Sequence, residues 1–180
     1  MLYTYEACKE KYKTDYEIRK MITSGKLRRV RHGVYSDETY ESELAIISCA
    51  YPNAVFTLNS AFYYHGLTDV IPREYHLATD KDASKIKDGQ VKQFFDNNNS
   101  LSLGREKIKY NGTEIFVFSK ERMLVELIRN KNKMPFDYYK EIISNYRRRV
   151  HELDIRAVQE YAIALPKTKM VMETLQLEVF

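Results

Sequence analysis

The stretch TDYEIRKMITSGKLRRVRHGVYS, residues 14–36, decides the fold of the N-terminal part of the chain. Thr14 and Glu17 have the spacing of a capping box, which predicts a helix over residues 15–24. Gly25 follows that helix in the position where glycine commonly ends one. The apolar side chains of this helix have i, i+3 and i+4 spacing and therefore share one face: Ile18, Met21 and Ile22.

The residues after Gly25 alternate between two sides of an extended chain, which predicts a β-hairpin over residues 26–36. Gly33 suits its tight turn. A short helix over residues 4–11 precedes the stretch, so the predicted order is helix, turn, helix and basic hairpin. That is the order of a winged helix-turn-helix. Val30, His32 and Val34 are predicted to point to one side of the hairpin. Arg29 and Arg31 are predicted to point to the other side.

The basic charge of the chain is concentrated at its N-terminus. Residues 1–36 contain nine lysines and arginines and four acidic residues, a net charge of +5, whereas the remainder has a net charge of −1. A basic face is expected of a protein that binds a polyanion. The alternative is a solvated basic surface on a helical hairpin.

If the segment binds duplex DNA, the helix over residues 15–24 enters the major groove and the basic hairpin contacts the backbone or a minor groove. Arginine is suited to the hairpin because its planar fork pairs with phosphate oxygens. The predicted DNA contacts are Tyr16, Arg19, Lys20, Lys26, Arg28, Arg29, Arg31 and His32. A second basic run, Arg147 to Arg149, is predicted to be a solvated helix surface with ion pairs, the alternative being a further contact with nucleic acid or an acidic partner.

The rest of the chain is predicted to form an α+β domain over residues 37–180, with a small β-sheet and several C-terminal helices, after a minimal winged helix-turn-helix over residues 1–36. The strongest local signal is Asn111-Gly112 between two β-prone runs, which predicts a hairpin. The expected elements are helices over 39–50, 60–65 (capped by Asn59), 85–95, 120–128, 136–146, 155–165 and 169–177; strands over 54–58 and 74–79; a hairpin of 106–110 with 113–118; and an exposed loop over 96–100.

Sequence motifs for catalysis are not found. The chain contains no G-x-S-x-G elbow, no P-loop and no H-E-x-x-H. A metal-dependent nuclease would carry a lysine where Glu114-Ile115-Phe116 has phenylalanine, and Asp80-Lys81-Asp82 fits a polar turn better than a metal site. We therefore predict no catalytic residue, no metal and no cofactor. The histidines and cysteines are predicted to be structural: His32, His65, His76, His151, Cys8 and Cys49.

The sequence also predicts where the protein is found. No apolar stretch approaches the ~20 residues that span a bilayer. The first residues contain acidic side chains and no apolar segment of the kind found in a signal peptide. A cytoplasmic protein without membrane contact is expected.

Three blocks of the sequence resemble the AbiE-type antitoxins of type IV toxin–antitoxin systems, which act in abortive infection by phage. They are GKLRRVRHGVYS at residues 25–36; FTLNSA through HGLTD, IP and YHLAT over 56–79; and IFVFSKERMLVELI at 115–128. The resemblance implies a DNA-binding repressor that binds inverted repeats upstream of its own operon and neutralises a nucleotidyltransferase-type toxin, often without a stable complex. It also places Arg19, Lys20, Arg28, Arg29 and Arg31 where DNA contacts are expected.

One departure from the family pattern is that only Met1 to Tyr3 precede the first predicted helix. Winged helices usually have another helix there, so either the C-terminal domain or a second subunit supplies the missing packing, or the small domain is less stable. A homodimer fits inverted repeats. Two other functions stay open: a protein-binding antitoxin module without DNA binding, and a metal-dependent nuclease.

Overall fold

The computed structural model describes residues 1–180 and has an α+β fold with eight α-helices and two β-sheets, which confirms the predicted class. The chain divides into two compact units. Unit 1 comprises Met1–Asn53 together with Lys109–Glu114, and unit 2 comprises Ala54–Ile108 and Ile115–Phe180. Unit 1 therefore extends beyond residue 36, the end of the predicted N-terminal domain.

Unit 1 is built on a three-stranded antiparallel sheet in the order β1-β3-β2. The residues before the first helix form strand β1, which pairs with β3. Helix α3 contacts all three strands. Strand β1 and helix α3 thus pack on the rest of unit 1. The elements are β1 Leu2–Thr4, α1 Tyr5–Tyr12, α2 Asp15–Thr23, β2 Arg28–Arg31, β3 Val34–Ser36 and α3 Glu43–Ala50.

The signals in residues 14–36 form the local structure predicted from them. The Thr14 hydroxyl accepts a hydrogen bond from the Glu17 backbone N–H at 3.2 Å and caps α2. Gly25 has φ +72°, a conformation in which other residues are strained. The small core of the unit consists of Cys8, Ile18 and Leu27, with partly buried aromatic side chains and a methionine packed against it: Tyr3, Tyr12, Tyr35 and Met21.

A β-bulge in strand β2 changes which arginines share a face of the sheet. Arg29 pairs with Tyr35, but Arg31 pairs with Val34, so Val30 is an extra residue in β2. An extra residue reverses the alternation of the side chains that follow it. The prediction that Arg29 and Arg31 lie on one side is therefore wrong.

Most of a five-stranded mixed sheet in the order β6-β5-β4-β8-β7 belongs to unit 2, while the tip of its β7–β8 hairpin, Lys109–Glu114, is part of unit 1. Strands β4 and β8 are parallel, as are β5 and β6, whereas β4 and β5 are antiparallel. The elements are β4 Val55–Phe56, α4 Leu58–Tyr64, β5 Tyr75–Asp80, β6 Val91–Asp96, β7 Arg105–Tyr110, β8 Thr113–Phe118, α5 Lys120–Arg129, α6 Phe136–Arg148, α7 Ile155–Ala164 and α8 Thr168–Glu178, with short 3-10 helices at Lys131–Lys133 and Val150–Glu152.

Two predictions for this part of the chain have opposite outcomes. The Asn111-Gly112 hairpin is confirmed, and both residues have positive φ, as a type I′ turn requires. The predicted helix over 85–95 is wrong, because β6 pairs along its whole length with β5. The Gln93 side chain also bonds the Ile86 N–H and the Ser84 carbonyl, which holds the preceding segment out of a helix.

Helix starts differ from prediction by a few residues. Helix α3 begins at Glu43 with Ser42 as its cap rather than at 39, since the Ser42 hydroxyl accepts from the Ala45 N–H. Helix α4 begins at Leu58 with Thr57 at the cap position, not at Asn59. None of the helices has the length and apolar content to cross a membrane.

A buried arginine connects α5 to the loop before β7. Arg122 is 3% exposed, and its guanidinium bonds the Ser100 and Leu103 carbonyls, the Ser100 hydroxyl and the Glu126 carboxylate. All three guanidinium nitrogens therefore have an acceptor, and Nη2 also lies 2.9 Å from the Glu126 carboxylate as an ion pair. The ring of Phe118 lies 4.7 Å from the guanidinium carbon. Arg122 is therefore a structural residue.

Gly104 is required for this arrangement, which gives a first prediction. Gly104 has φ +68°, and a Cβ atom there would lie 2.7 Å from the Arg122 Cβ, which cannot swing away because it is attached to the backbone. Gly104→Ala is expected to lower the free energy of unfolding by about 2 kcal/mol through backbone strain and crowding. Chemical denaturation measures this change. Gly89→Ala is the control, because nothing lies within 4 Å of its added Cβ; equal destabilisation in both variants would contradict the prediction.

Candidate nucleic-acid interface

Helix α2 separates its apolar and polar faces as a groove-binding helix would. Ile18 is 4% exposed and packs into the core of unit 1, whereas Tyr16 is 73% exposed. Arg19 and Lys20 are also exposed. Because α2 buries only one side, the other side is available for contact with a partner.

The basic residues of unit 1 fall into a paired group and an unpaired group. On α1, Lys9 pairs with Asp15 at 3.3 Å. Lys11 lies 3.7 Å from Asp37 and donates to the Tyr3 hydroxyl, and this hydrogen bond to Tyr3 raises the pKa of Lys11. The positive charge of α1 is thus largely compensated.

The unpaired group lies on α2, the turn after it and the hairpin. Lys20, Lys26 and Arg29 are exposed and have no ion pair or side-chain hydrogen bond. The charge of Arg19 is partly compensated by Asp15. The pKa of Asp15 is lowered mainly by hydrogen bonds from Tyr5 and Lys9, and the nearby charge of Arg19 lowers it further. Uncompensated exposed cations are the groups that can release counterions from a nucleic acid.

Two of the three hairpin arginines are used within unit 1. The Arg28 guanidinium donates to the Glu38 carbonyl at 2.7 Å and the Thr39 carbonyl at 2.6 Å, although its charge stays at the surface. Arg31 is paired with Glu43 at 3.4 Å, and its side chain is only 15% exposed. The structure therefore separates Arg29 from the other two predicted contacts.

His32 lies exposed at the hairpin turn, where it lines a groove of about 480 Å³ together with Arg29 and Tyr5. Lys13 is a cation that the sequence analysis did not include. It is exposed in the turn between α1 and α2, with φ +68° and no partner. The signal that could have identified Lys13 is its position between the two predicted helices.

The other candidates from the sequence have structural surroundings. Arg149 donates to the carbonyls of His65 and Gly66 and pairs with Glu152 at 2.8 Å, while Arg147 and Arg148 are exposed. The Asp80 carboxylate accepts from the Asp82 N–H within a turn. No three His, Cys, Asp or Glu side chains are grouped so that they could hold a metal ion.

The two cysteines are not activated as nucleophiles. Cys8 is fully buried and Cys49 half-buried, both as thiols. Burial raises the pKa of each thiol, which favours the unreactive protonated form.

No protein-family model matches the chain, and no curated protein matches it significantly. The resemblance to the AbiE-type antitoxins therefore depends on the three sequence blocks alone.

Proposed function

We propose that unit 1 is a winged helix-turn-helix that binds duplex DNA with the exposed face of α2 and with Arg29 in the β2–β3 hairpin. The observation that carries this proposal is the set of exposed cations without acidic partners, Lys20, Lys26 and Arg29, which lie on α2, in the turn after it and in the hairpin. Arg19 and Tyr16 lie on the same helix and would face the bases. Lys13 would add a backbone contact at the turn.

Within this proposal the hairpin arginines have different roles. Arg29 contacts phosphate, because no group of the protein competes for it. Arg28 has a surface charge but uses part of its fork on backbone carbonyls, so its contribution to binding is smaller. Arg31 holds the hairpin against α3 through Glu43 and contributes to DNA binding only through this support.

The test is fluorescence anisotropy of the full chain with its own upstream DNA and with a scrambled duplex, at two salt concentrations. Tight, salt-dependent binding that prefers the native sequence supports a repressor. Weak and equal binding to both duplexes would contradict it and would favour the protein-binding module.

Removing two unpaired cations is expected to weaken binding to every duplex. The double variant Lys20→Ala, Arg29→Ala should bind about tenfold to hundredfold more weakly, and its log–log salt slope should fall by about 2, because two phosphate contacts are lost. The control is Arg156→Ala with Lys169→Ala, which removes the same charges from side chains that are 87% and 92% exposed. If the control weakens binding equally, the effect reflects net charge and not a defined interface.

The resemblance to AbiE-type antitoxins supports a wider proposal. The protein represses its own operon, as a dimer on inverted repeats, and neutralises a nucleotidyltransferase-type toxin. Coexpression with a toxin encoded beside it tests the second part. Rescue of growth by the double variant as well as the parent would separate neutralisation from DNA binding, whereas no rescue by the parent would contradict the antitoxin role.

A further inference from the structure

A polar cleft of about 280 Å³ in unit 2 is not used by the proposed function. It is bounded by strand β6, the loop after it, and the C-terminal half of α5 with the 3-10 helix that follows. Its charged lining comprises three cations and two carboxylates: Arg122, Arg129, Lys133, Asp96 and Glu126.

Both carboxylates of the cleft are occupied by the protein itself. Asp96 accepts hydrogen bonds from the backbone N–H groups of Asn98 and Ser100 and from the Ser100 hydroxyl. Glu126 forms ion pairs with Arg122 and Arg129 at 2.9 and 2.7 Å. Neither acid is therefore free to bind a cation or to repel an anion strongly.

Two of the cations keep unused donors. The Arg129 Nη1 donates to Glu126, but its Nε is buried without a partner and its Nη2 has none. Because Nε is buried, Nη2 is the donor that an incoming phosphate oxygen can reach. Lys133, four residues further on, is exposed and unpaired.

Phe94 is half-buried and lies on the same face of the sheet as Ala78 and Asp96, which also line the cleft, whereas the side chain of Phe95 points to the opposite face.

We propose that this cleft binds a phosphate monoester that carries a planar ring, a ligand of mononucleotide size. The phosphate, with a charge near −2 at neutral pH, pairs with Arg129 and Lys133, and the ring packs on Phe94. The volume of the cleft lies near the lower end of small-molecule sites, ~300 Å³. The proposal is independent of DNA binding by unit 1.

Isothermal titration of the full chain with AMP, adenosine and inorganic phosphate tests the proposal. AMP is expected to bind at least tenfold more tightly than either part alone. Lys133→Gln should weaken AMP binding about tenfold, and Arg129→Gln should do the same. Lys131→Gln is the matched control, because Lys131 lies in the same 3-10 helix but faces Glu178 at 3.9 Å and does not line the cleft.

Three results would overturn the proposal. The first is that AMP shows no saturable binding. The second is that AMP binds no more tightly than phosphate or than adenosine. The third is that Lys133→Gln leaves AMP binding unchanged. The circular dichroism spectrum of each variant excludes unfolding as the cause of a loss, and Lys133→Gln is the more decisive variant because this side chain has no structural partner to lose.

Discussion

Arg122→Met is expected to lower the free energy of unfolding by about 3–5 kcal/mol. The variant removes one member of a buried ion pair and leaves the Glu126 carboxylate with less compensation in a poorly solvated site. It also leaves the Ser100 and Leu103 carbonyls without their donor. Urea denaturation followed by circular dichroism measures the change.

Arg156→Met is the control for this experiment. Arg156 also pairs with a glutamate four residues on, but its side chain is 87% exposed and that of Glu160 61%. Exposed pairs of this kind contribute less than about 1 kcal/mol. If both variants lose the same stability, burial does not make the Arg122 contacts more stabilising than an exposed ion pair, and the prediction is wrong. Arg122→Lys should keep little of the stability that Arg122→Met loses, since an ammonium has three donors and cannot replace a planar guanidinium with five.

Lowering the pH from 7 to 4 is expected to destabilise the protein by roughly 3 kcal/mol through His76 alone. Burial, with a smaller contribution from Lys92, lowers the pKa of His76 from 6.5 to about 4. The unfolded chain therefore takes up the proton below pH 6.5, whereas the folded chain resists it until about pH 4. Stability is present above pH 6.5 and is lost as the pH falls through this window.

The cause of the effect is the position of the imidazole. His76 is 7% exposed, its ring lies 5.1 Å from that of Phe94, and its Nδ1 has no partner. His76→Leu should flatten the dependence of stability on pH between 4 and 7, measured by thermal denaturation at fixed buffer composition. His151→Gln alters an exposed histidine and should keep the dependence of the parent. A variant at His76 with an unchanged slope would contradict the assignment.

Local signals in the sequence predicted local structure well. The Thr14 cap and the Asn111-Gly112 turn depend on interactions within a few residues, and both form as expected. Strand β6 could not be predicted in this way, because its structure depends on pairing with β5, from which a loop of ten residues or so separates it. The polar composition of 85–95 fits a helix only when that partner is ignored.

The candidate interface shows the same division between local and distant causes. The exposure of Tyr16, Arg19 and Lys20 follows from the periodicity of α2 itself. The engagement of Arg31 depends on Glu43, which reaches it only because α3 packs on the sheet and because the bulge at Val30 turns the side chain over. A list of basic residues cannot distinguish a free cation from one held by a distant partner.

Unit 1 is assembled from two separate parts of the gene, and this constrains how the protein can evolve. Codons 1–53 encode most of the unit, but the turn at Lys109–Glu114 belongs to it as well. The Thr113 hydroxyl lies 3.4 Å from that of Ser42, the cap of α3. Recombination that exchanges only the first 53 codons between two related genes would join a turn from one parent to a sheet from the other. Helix α3 and this hairpin turn are therefore expected to be inherited together.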